Sequence, residues 1–266
     1  MLTNTRSDRV RGVRALSRRA VRERQGLFLV EGPQGVREAV VHRASCVQDL
    51  YVTPSAAGRY AAVLDAAHAA YLRVQEVSDE VLTAMGDEQA VVAHQGLLAV
   101  CRIDRATLSS VLAARPRLLC VLSSVRDPGN AGTVLRGADA AGADAVVVTT
   151  GSVDLYSPKV VRSTAGSLFH LPVVTGVPVE EVVEAVHAAG LLVHAADGFG
   201  ERLLGDVDLR APHAWLFGNE AWGLPKEVRD LCDDVVRVPI HGLAESLNLA
   251  MAATVCLYAS ASVQRV

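Results

Sequence analysis

Four stretches of this 266-residue chain place polar, charged or glycine residues where chemistry could be done. The first, Ser123 to Asp144, reads S-S-V-R-D-P-G-N-A-G-T-V-L-R-G-A-D-A-A-G-A-D. Asp127, Pro128 and Gly129 spell a turn after an apolar run. Asn130 is placed to cap the helix that follows, whose first N–H groups carry a partial positive charge. Arg136 falls about two turns further on, off the apolar face of Val134, Leu135 and Ala138; an ordinary strand, turn and helix with a surface arginine would read the same way. In the second stretch, Asp154 to Phe169, Ser157 and Pro158 suit a helix start. Lys159 and Arg162 lie one turn apart there, a face that can hold phosphate or simply face solvent. The third, F-G-N-E-A-W-G-L-P (Phe217 to Pro225), has glycines that allow close backbone approach to a ligand, and one carboxylate, Glu220. The fourth, I-H-G-L-A-E-S-L-N-L (Ile240 to Leu249), puts Ser246 and Asn248 at the start of a nearly apolar helix, where polar groups need partners. His241 stands alone in that loop, without a neighbour to make it a general base.

These stretches need elements to position them. Apolar runs at 118–123, 145–150, 173–175, 191–195, 215–217 and 235–238 have strand length, and helical patterns fall between them at 131–141, 158–167, 178–189, 225–231 and 247–261. The alternation predicts an α/β fold, a parallel sheet covered on both faces. Two strands that exit into glycine-rich loops predict a small-molecule site at the carboxyl edge of that sheet. Ahead of it, a helix over 8–25, strands at 27–32, 49–53, 72–77 and 96–101, and helices at 36–42, 56–70 and 79–85 predict a smaller α/β unit with no catalytic constellation. Glu31 and Glu38 read there as surface or helix-capping acids. Residues 104–117, with Pro116, read as a linker, so the expected domains are 1–103 and 118–266.

Composition narrows the options. Half the residues are hydrophobic and only 4% are aromatic, so the core must be Val, Leu and Ala, which suits a buried parallel sheet. No apolar run approaches the roughly 20 residues that cross a bilayer, and the leading M-L-T-N-T-R-S-D-R lacks a signal segment, so no membrane contact and a cytoplasmic location are expected. Cys46, Cys101, Cys120, Cys232 and Cys256 are scattered without ligand spacing, so neither a metal site nor a disulfide framework is expected. The net charge of −3 hides an asymmetry. Eight arginines in the first 24 positions face only Asp8 and Glu23, a balance of +6 that leaves −9 for the rest. Such a basic arm is a footprint of polyanion binding, although a solvated Arg-rich helix has the same composition. No G-x-G-x-x-G and no P-loop occurs, which removes support for a nucleotide-dependent enzyme.

Three of the four stretches carry a resemblance. N-A-G-T-V-L-R (Asn130 to Arg136), G-N-E-A-W-G-L (Gly218 to Leu224) and P-I through S-L-N-L-A (Pro239 to Ala250) resemble, in order, the three motifs of the SpoU (TrmH-like) family of RNA ribose 2'-O-methyltransferases, part of the knotted S-adenosylmethionine-dependent superfamily. The resemblance covers nearly the whole chain, because G-L-F-L-V-E-G (Gly26 to Gly32) is similar to the ribosomal-protein-like RNA-binding domain often fused ahead of the catalytic one. Ala221 stands where the family commonly has Gly, and Leu249 where Val is frequent; neither replaces a functional side chain.

The resemblance implies a deep trefoil knot in the C-terminal domain, where strand pattern alone predicts an open doubly wound sheet. It implies a homodimer whose interface lies beside the methyl-donor pocket, a use that suits the apolar final helix. It implies S-adenosyl-L-methionine as cofactor, cradled around Thr149, Gly218, Asn219, Gly223, Val238, Ile240 and Leu247. Arg136 is the implied catalytic residue. The resemblance includes a reading of it as base after contact with an RNA phosphate, but a guanidinium essentially never deprotonates in proteins, so its expected work is to orient that phosphate and the hydroxyl, with the group that removes the proton unassigned. Asn130, Glu220, Ser246 and Asn248 are expected to hold Arg136 and the substrate. Arg11, Arg18, Arg22, Lys159 and Arg162 are expected to meet RNA phosphates. The substrate implied is structured RNA, with 23S ribosomal RNA favoured by the extra N-terminal domain. The alternatives are transfer RNA, or a non-catalytic RNA-binding member that would have lost Arg136 or S-L-N.

Overall fold

The computed structural model describes residues 1–86 and 95–265. The chain groups into two units, Met1–Asp104 with Asp154–His170, and Arg105–Val153 with Leu171–Val266. The alternation of strands and helices gives no sign that Asp154–His170 packs with the first unit.

In the first unit, α1 (Asp8–Ala15), α2 (Arg19–Gln25), β1 (Leu27–Glu31), α3 (Pro33–His42), β2 (Val47–Val52), α4 (Pro54–Arg59), α5 (Ala61–Ala69), β3 (Val74–Glu76), α6 (Asp79–Met85) and β4 (Leu97–Arg102) follow in order. The sheet runs β1-β4-β2-β3, antiparallel except between β2 and β3. Val10, Val13 and Leu16 pack with Leu29, Tyr51, Leu98 and, from α6, Val81, Leu82 and Met85. The single helix expected over 8–25 is two helices. The chain turns at Leu16 to Arg18, and the Arg22 guanidinium donates to the carbonyls of Leu16 and Ser17, both at 2.7 Å. Those acceptors stand at the end of α1, where helix geometry leaves carbonyls without partners. The same guanidinium pairs with Asp154 at 2.5 Å and is buried. Glu31 and Glu38 are not surface acids either. Glu31 is buried and receives Arg162 at 2.7 Å; Glu38 is buried against Arg37, His42 and His170. A carboxylate can be buried when such donors replace its water.

The second unit contains α7 (Leu108–Ala113), β5 (Leu118–Leu122), α8 (Pro128–Ala141) and β6 (Ala145–Thr149). After α9 (Pro158–Ser163), which belongs to the first unit, come β7 (Val173–Val177), α10 (Val179–Ala188), β8 (Leu192–Ala196), β9 (Arg202–Leu203), β10 (His213–Phe217), α11 (Lys226–Arg229), β11 (Asp234–Arg237) and α12 (Leu249–Gln264). The seven strands run β7-β6-β5-β10-β8-β11-β9, every pair parallel, as the alternation predicts. The two-residue β9 has no sequence signal. Alternate strand residues Leu119, Val121, Val147 and Leu216 pack on Val182, Val183 and Val186 of α10. Helix α12 packs on β5, β8, β10 and α8. All five cysteines are free thiols, and burial pushes Cys232 and Cys256 up to about 12, so they behave as small apolar side chains.

One hydroxyl of helix α12 reaches two buried residues of the sheet. Ser260 Oγ lies 2.8 Å from the Trp215 indole nitrogen and 2.7 Å from His213 Nε2, all three residues fully buried. Burial pushes His213 down to about 4 against the opposing hydrogen bond to the Ala211 carbonyl, so the imidazole is neutral at physiological pH. Ser260→Ala strands a buried N–H and is expected to cost about 2 kcal/mol of second-unit stability. Denaturant unfolding followed by Trp215 emission in a Trp222→Phe background checks this; a loss below about 0.5 kcal/mol would show the hydroxyl to be dispensable.

Candidate active site

The parallel register sets one row of residues along the carboxyl edge of the second sheet. Phe217 is level with Leu122 and with Ala196, and Leu122 with Val148, so Gly218, Ser123, Asp197 and Thr149 follow at one level. The loops that leave this row carry the chemistry.

The loop after β5 leads into α8. The cap is Asp127, not Asn130: its carboxylate accepts from the Asn130 N–H at 2.7 Å, with Pro128 in the first helical position. Proline fits there because that N–H has no helical acceptor. Asn130, freed from capping, turns its side chain to two residues that are distant in sequence. Its Nδ2 donates to Glu220 at 3.3 Å, and its Oδ1 accepts from Asn248 Nδ2 at 2.9 Å. Glu220 also accepts the backbone N–H groups of Arg126 and Asp127, at 3.2 and 3.0 Å. Burial opposes the charge on Glu220, but N–H groups of Glu220 itself, Arg126 and Asp127, with the Asn130 amide, outweigh it and hold the carboxyl below its ordinary value. Glu220 is therefore an ionised acceptor that fixes the start of α8 and is too weakly basic to collect protons at neutral pH.

Gly218 to Leu224 form a closed turn. Asn219 and Gly223 exchange backbone hydrogen bonds at 3.0 and 2.9 Å, and Gly223 takes φ +66°. A Cβ at Gly218 would stand 2.4 Å from the Gly223 carbonyl carbon, so only glycine fits. The Asn219 side chain is used internally, donating to the Ser124 carbonyl at 2.7 Å and accepting from Ala221 N–H at 2.8 Å. Val238 and Ile240 lie in the loop after β11. Among the described residues, nothing from Ile240 to Leu247 makes a hydrogen bond with the rest of the chain, so the backbone groups there stay available to a ligand. Asn248 ends that loop and caps α12, accepting from Ala250 and Met251.

The structure thus joins Asn130, Glu220 and Asn248 by hydrogen bonds, one from each motif stretch. Arg136 and Ser246 are exposed and stand outside this network, with no hydrogen bond or ion pair from either side chain among the described residues. Of the phosphate candidates, Arg11, Arg18 and Lys159 are exposed. Arg22 must be withdrawn, because it is buried on Asp154 and backbone carbonyls. Arg162 is half-buried and committed to Glu31. Among the described residues one group has metal-ligand spacing, Glu38 with His42 and His170, and it belongs to the first unit rather than to this site. Sequence reasoning missed Asp197, one residue past β8, whose side chain is 4% exposed and whose carboxylate accepts from the Leu224 N–H at 3.4 Å and faces Arg229 at 3.5 Å. Its only signal was its place one residue past a strand.

Nearly the whole chain is similar to proteins of known family. Residues 117–258 match the SpoU rRNA Methylase family model, and residues 7–98 match the MRM3-like substrate binding domain. The chain is 34% identical over 250 residues, 91% of its length and 85% of the relative's, to a 23S rRNA (uridine(2479)-2'-O)-methyltransferase of Streptomyces viridochromogenes. An AdoMet-bound rRNA methyltransferase from Sinorhizobium meliloti superposes with TM-score 0.83 at 28% identity, covering 97% and 96% of the two chains. The SpoU methyltransferase AviRb from Streptomyces viridochromogenes, in complex with AdoMet, superposes with TM-score 0.82 at 32% identity over 97% and 98%.

Proposed function

Because the chain belongs to the SpoU rRNA methylase family, we propose that it transfers a methyl group from S-adenosyl-L-methionine to a ribose 2'-hydroxyl of 23S ribosomal RNA. The observation that carries this is the Asn130–Glu220–Asn248 network, which gathers all three motif stretches at one sheet edge. The cofactor supplies an already activated methyl group and keeps the electron pair of the sulfur–carbon bond that breaks, while the 2'-hydroxyl proton passes to solvent, so the protein's work is positioning. Thr149 and the backbone of Gly218, Asn219, Gly223, Val238, Ile240 and Leu247 are the residues to hold it. The close backbone approach at Gly218 and the hydrogen-bond-free loop from Ile240 to Leu247 fit such a ligand. Arg136 grips a phosphate beside the target ribose and orients its hydroxyl, with Ser246 assisting from the last loop. Asn130, Glu220 and Asn248 keep the start of α8 in place. Arg11, Arg18 and Lys159 add phosphate contacts in the first unit.

A homodimer and a deep knot in the second unit belong to the same reading. Met251, Val255 and Tyr258, spaced at four and three residues along α12, are 60%, 42% and 49% exposed and form one apolar face suited to a second copy. No helix among the described residues is long and apolar enough to cross a membrane; the similarity to enzymes that methylate 23S rRNA supports a cytoplasmic enzyme.

Calorimetry should show one cofactor molecule bound per chain, and tritiated methyl groups should appear in 23S rRNA transcript as alkali-resistant dinucleotides. Absence of binding heat, or label on a base rather than a ribose, would reject the proposal. Met251→Glu with Tyr258→Glu should yield monomers in sedimentation equilibrium; an unchanged mass would remove α12 from the interface.

A further inference from the structure

The chain has two tryptophans, and the structure treats them in opposite ways. Trp215 is 0% exposed in β10, whereas Trp222 is 54% exposed in the turn that carries Glu220. An indole is the largest apolar side chain, and leaving half of one in water forgoes stabilisation that a small shift of a flexible loop could recover. This turn cannot make that shift. It is closed by the Asn219–Gly223 backbone pair and braced by Asn219 on Ser124 and Ala221. The Glu220 carboxylate, two residues before Trp222, binds the Arg126 and Asp127 N–H groups and ties the turn to the start of α8. The exposure of Trp222 is built in.

One planar partner is already in place. The Arg126 guanidinium carbon lies 5.2 Å from the centroid of the Trp222 ring, within cation–π range. Arg126 is itself exposed, so a cation and an aromatic surface are presented together. Both residues connect directly to the network: Arg126 immediately precedes the Asp127 cap of α8, and Trp222 lies two positions past Glu220. Single-stranded or splayed-out RNA is held in this way, by base stacking on an aromatic or guanidinium plane with positive charge beside the backbone. A ribose 2'-hydroxyl is reached most readily when its nucleotide is drawn out of the stack, and the displaced base then needs a surface to stack on.

We propose that Trp222, backed by Arg126, is a stacking platform for an unpaired RNA nucleobase at or next to the methylated ribose. The inference rests on the RNA methyltransferase reading above and adds a binding site for the base, where the network described so far handles the start of α8. Trp222 is a positioning residue here; it does not touch the transferred methyl group.

Two measurements on the full-length chain test it. The first is methyl transfer to 23S rRNA transcript under saturating S-adenosyl-L-methionine. Trp222→Ala should raise KM for RNA on the order of 5- to 100-fold, the range of one base–aromatic stack, while cofactor affinity stays within about twofold. Trp222→Phe, which keeps an aromatic face, should stay within a few-fold of wild type. Unchanged RNA kinetics in Trp222→Ala would overturn the proposal, as would equal losses in the Phe and Ala variants. The second is intrinsic fluorescence during titration with the same transcript. Trp215 is buried, so RNA-dependent quenching should come from Trp222 and vanish in Trp222→Phe. Wild-type protein that binds the transcript with no change in emission overturns the platform even if activity is intact. Wild-type protein that binds cofactor but methylates no RNA overturns the methyltransferase reading first, and the platform with it.

Discussion

Arg136→Ala is expected to lower methyl transfer to RNA by roughly 10²- to 10³-fold, the usual loss when a charged group aimed at the reacting atoms is removed. Cofactor affinity and thermal stability should hardly move. The separation follows from where Arg136 sits. It projects from the exposed side of α8, while Val134, Leu135 and Ala138 are buried on the other, so the truncation removes nothing from the core. No intrachain hydrogen bond or ion pair is lost among the described residues, and no buried partner is stranded. An arginine held at a site without an internal partner is ready for an external anion. Arg136→Lys should fall between wild type and alanine, because a point charge keeps the attraction to phosphate but loses the planar fork that fixes orientation. Single-turnover transfer and calorimetry check both variants. Wild-type turnover in Arg136→Ala would take the residue out of the chemistry, and a lowered Tm would show that its loss acts through the fold.

How far such a site can be read from sequence depends on the range of the forces that build it. The strands of the second unit are legible because parallel strands buried on both faces are continuous apolar runs; β5, β6 and β10 are buried at every position. Helix caps are less so. Asn130 and Asp127 are both able to cap and stand three residues apart, and only the fixed φ of Pro128 between them favours the earlier one. The network is beyond any periodicity argument. Asn130 is 90 residues from Glu220 and 118 from Asn248; the resemblance of three short motifs to a known family groups these residues around Arg136 but does not give the pairings they make with one another. Without that resemblance, Asn248 reads as a polar residue at a helix start and Glu220 as a loop acid. Glu31 and Glu38 show the converse failure. Each looks like a surface acid until Arg162 or His170, supplied by the distant segment Asp154–His170, makes burial possible.

Arg22→Ala is expected to destabilise the first unit by about 3–5 kcal/mol, the usual cost of deleting one partner of a buried ion pair. Its neighbours in the basic arm predict nothing of the kind. Arg22 is 3% exposed, and its loss strands Asp154 together with the Leu16 and Ser17 carbonyls at the turn between α1 and α2. Arg11 and Arg18 are exposed, and replacing them should leave stability within about 0.5 kcal/mol. The same three substitutions should sort the other way in RNA binding. Arg11→Ala and Arg18→Ala should each weaken affinity and flatten the salt dependence by roughly 0.7 to 0.9 in log–log slope, one phosphate contact apiece. Arg22→Ala should leave the slope alone at temperatures where it stays folded. Denaturant unfolding, with limited proteolysis of the first unit, measures stability; titration at several salt concentrations measures the slope. The double variant Arg22→Ala with Asp154→Ala should recover part of the lost stability, because no unpaired charge is then left behind. If Arg22→Ala is as stable as wild type but has a flatter slope, the arginine belongs to the RNA surface after all, and the turn between α1 and α2 must be held by something else.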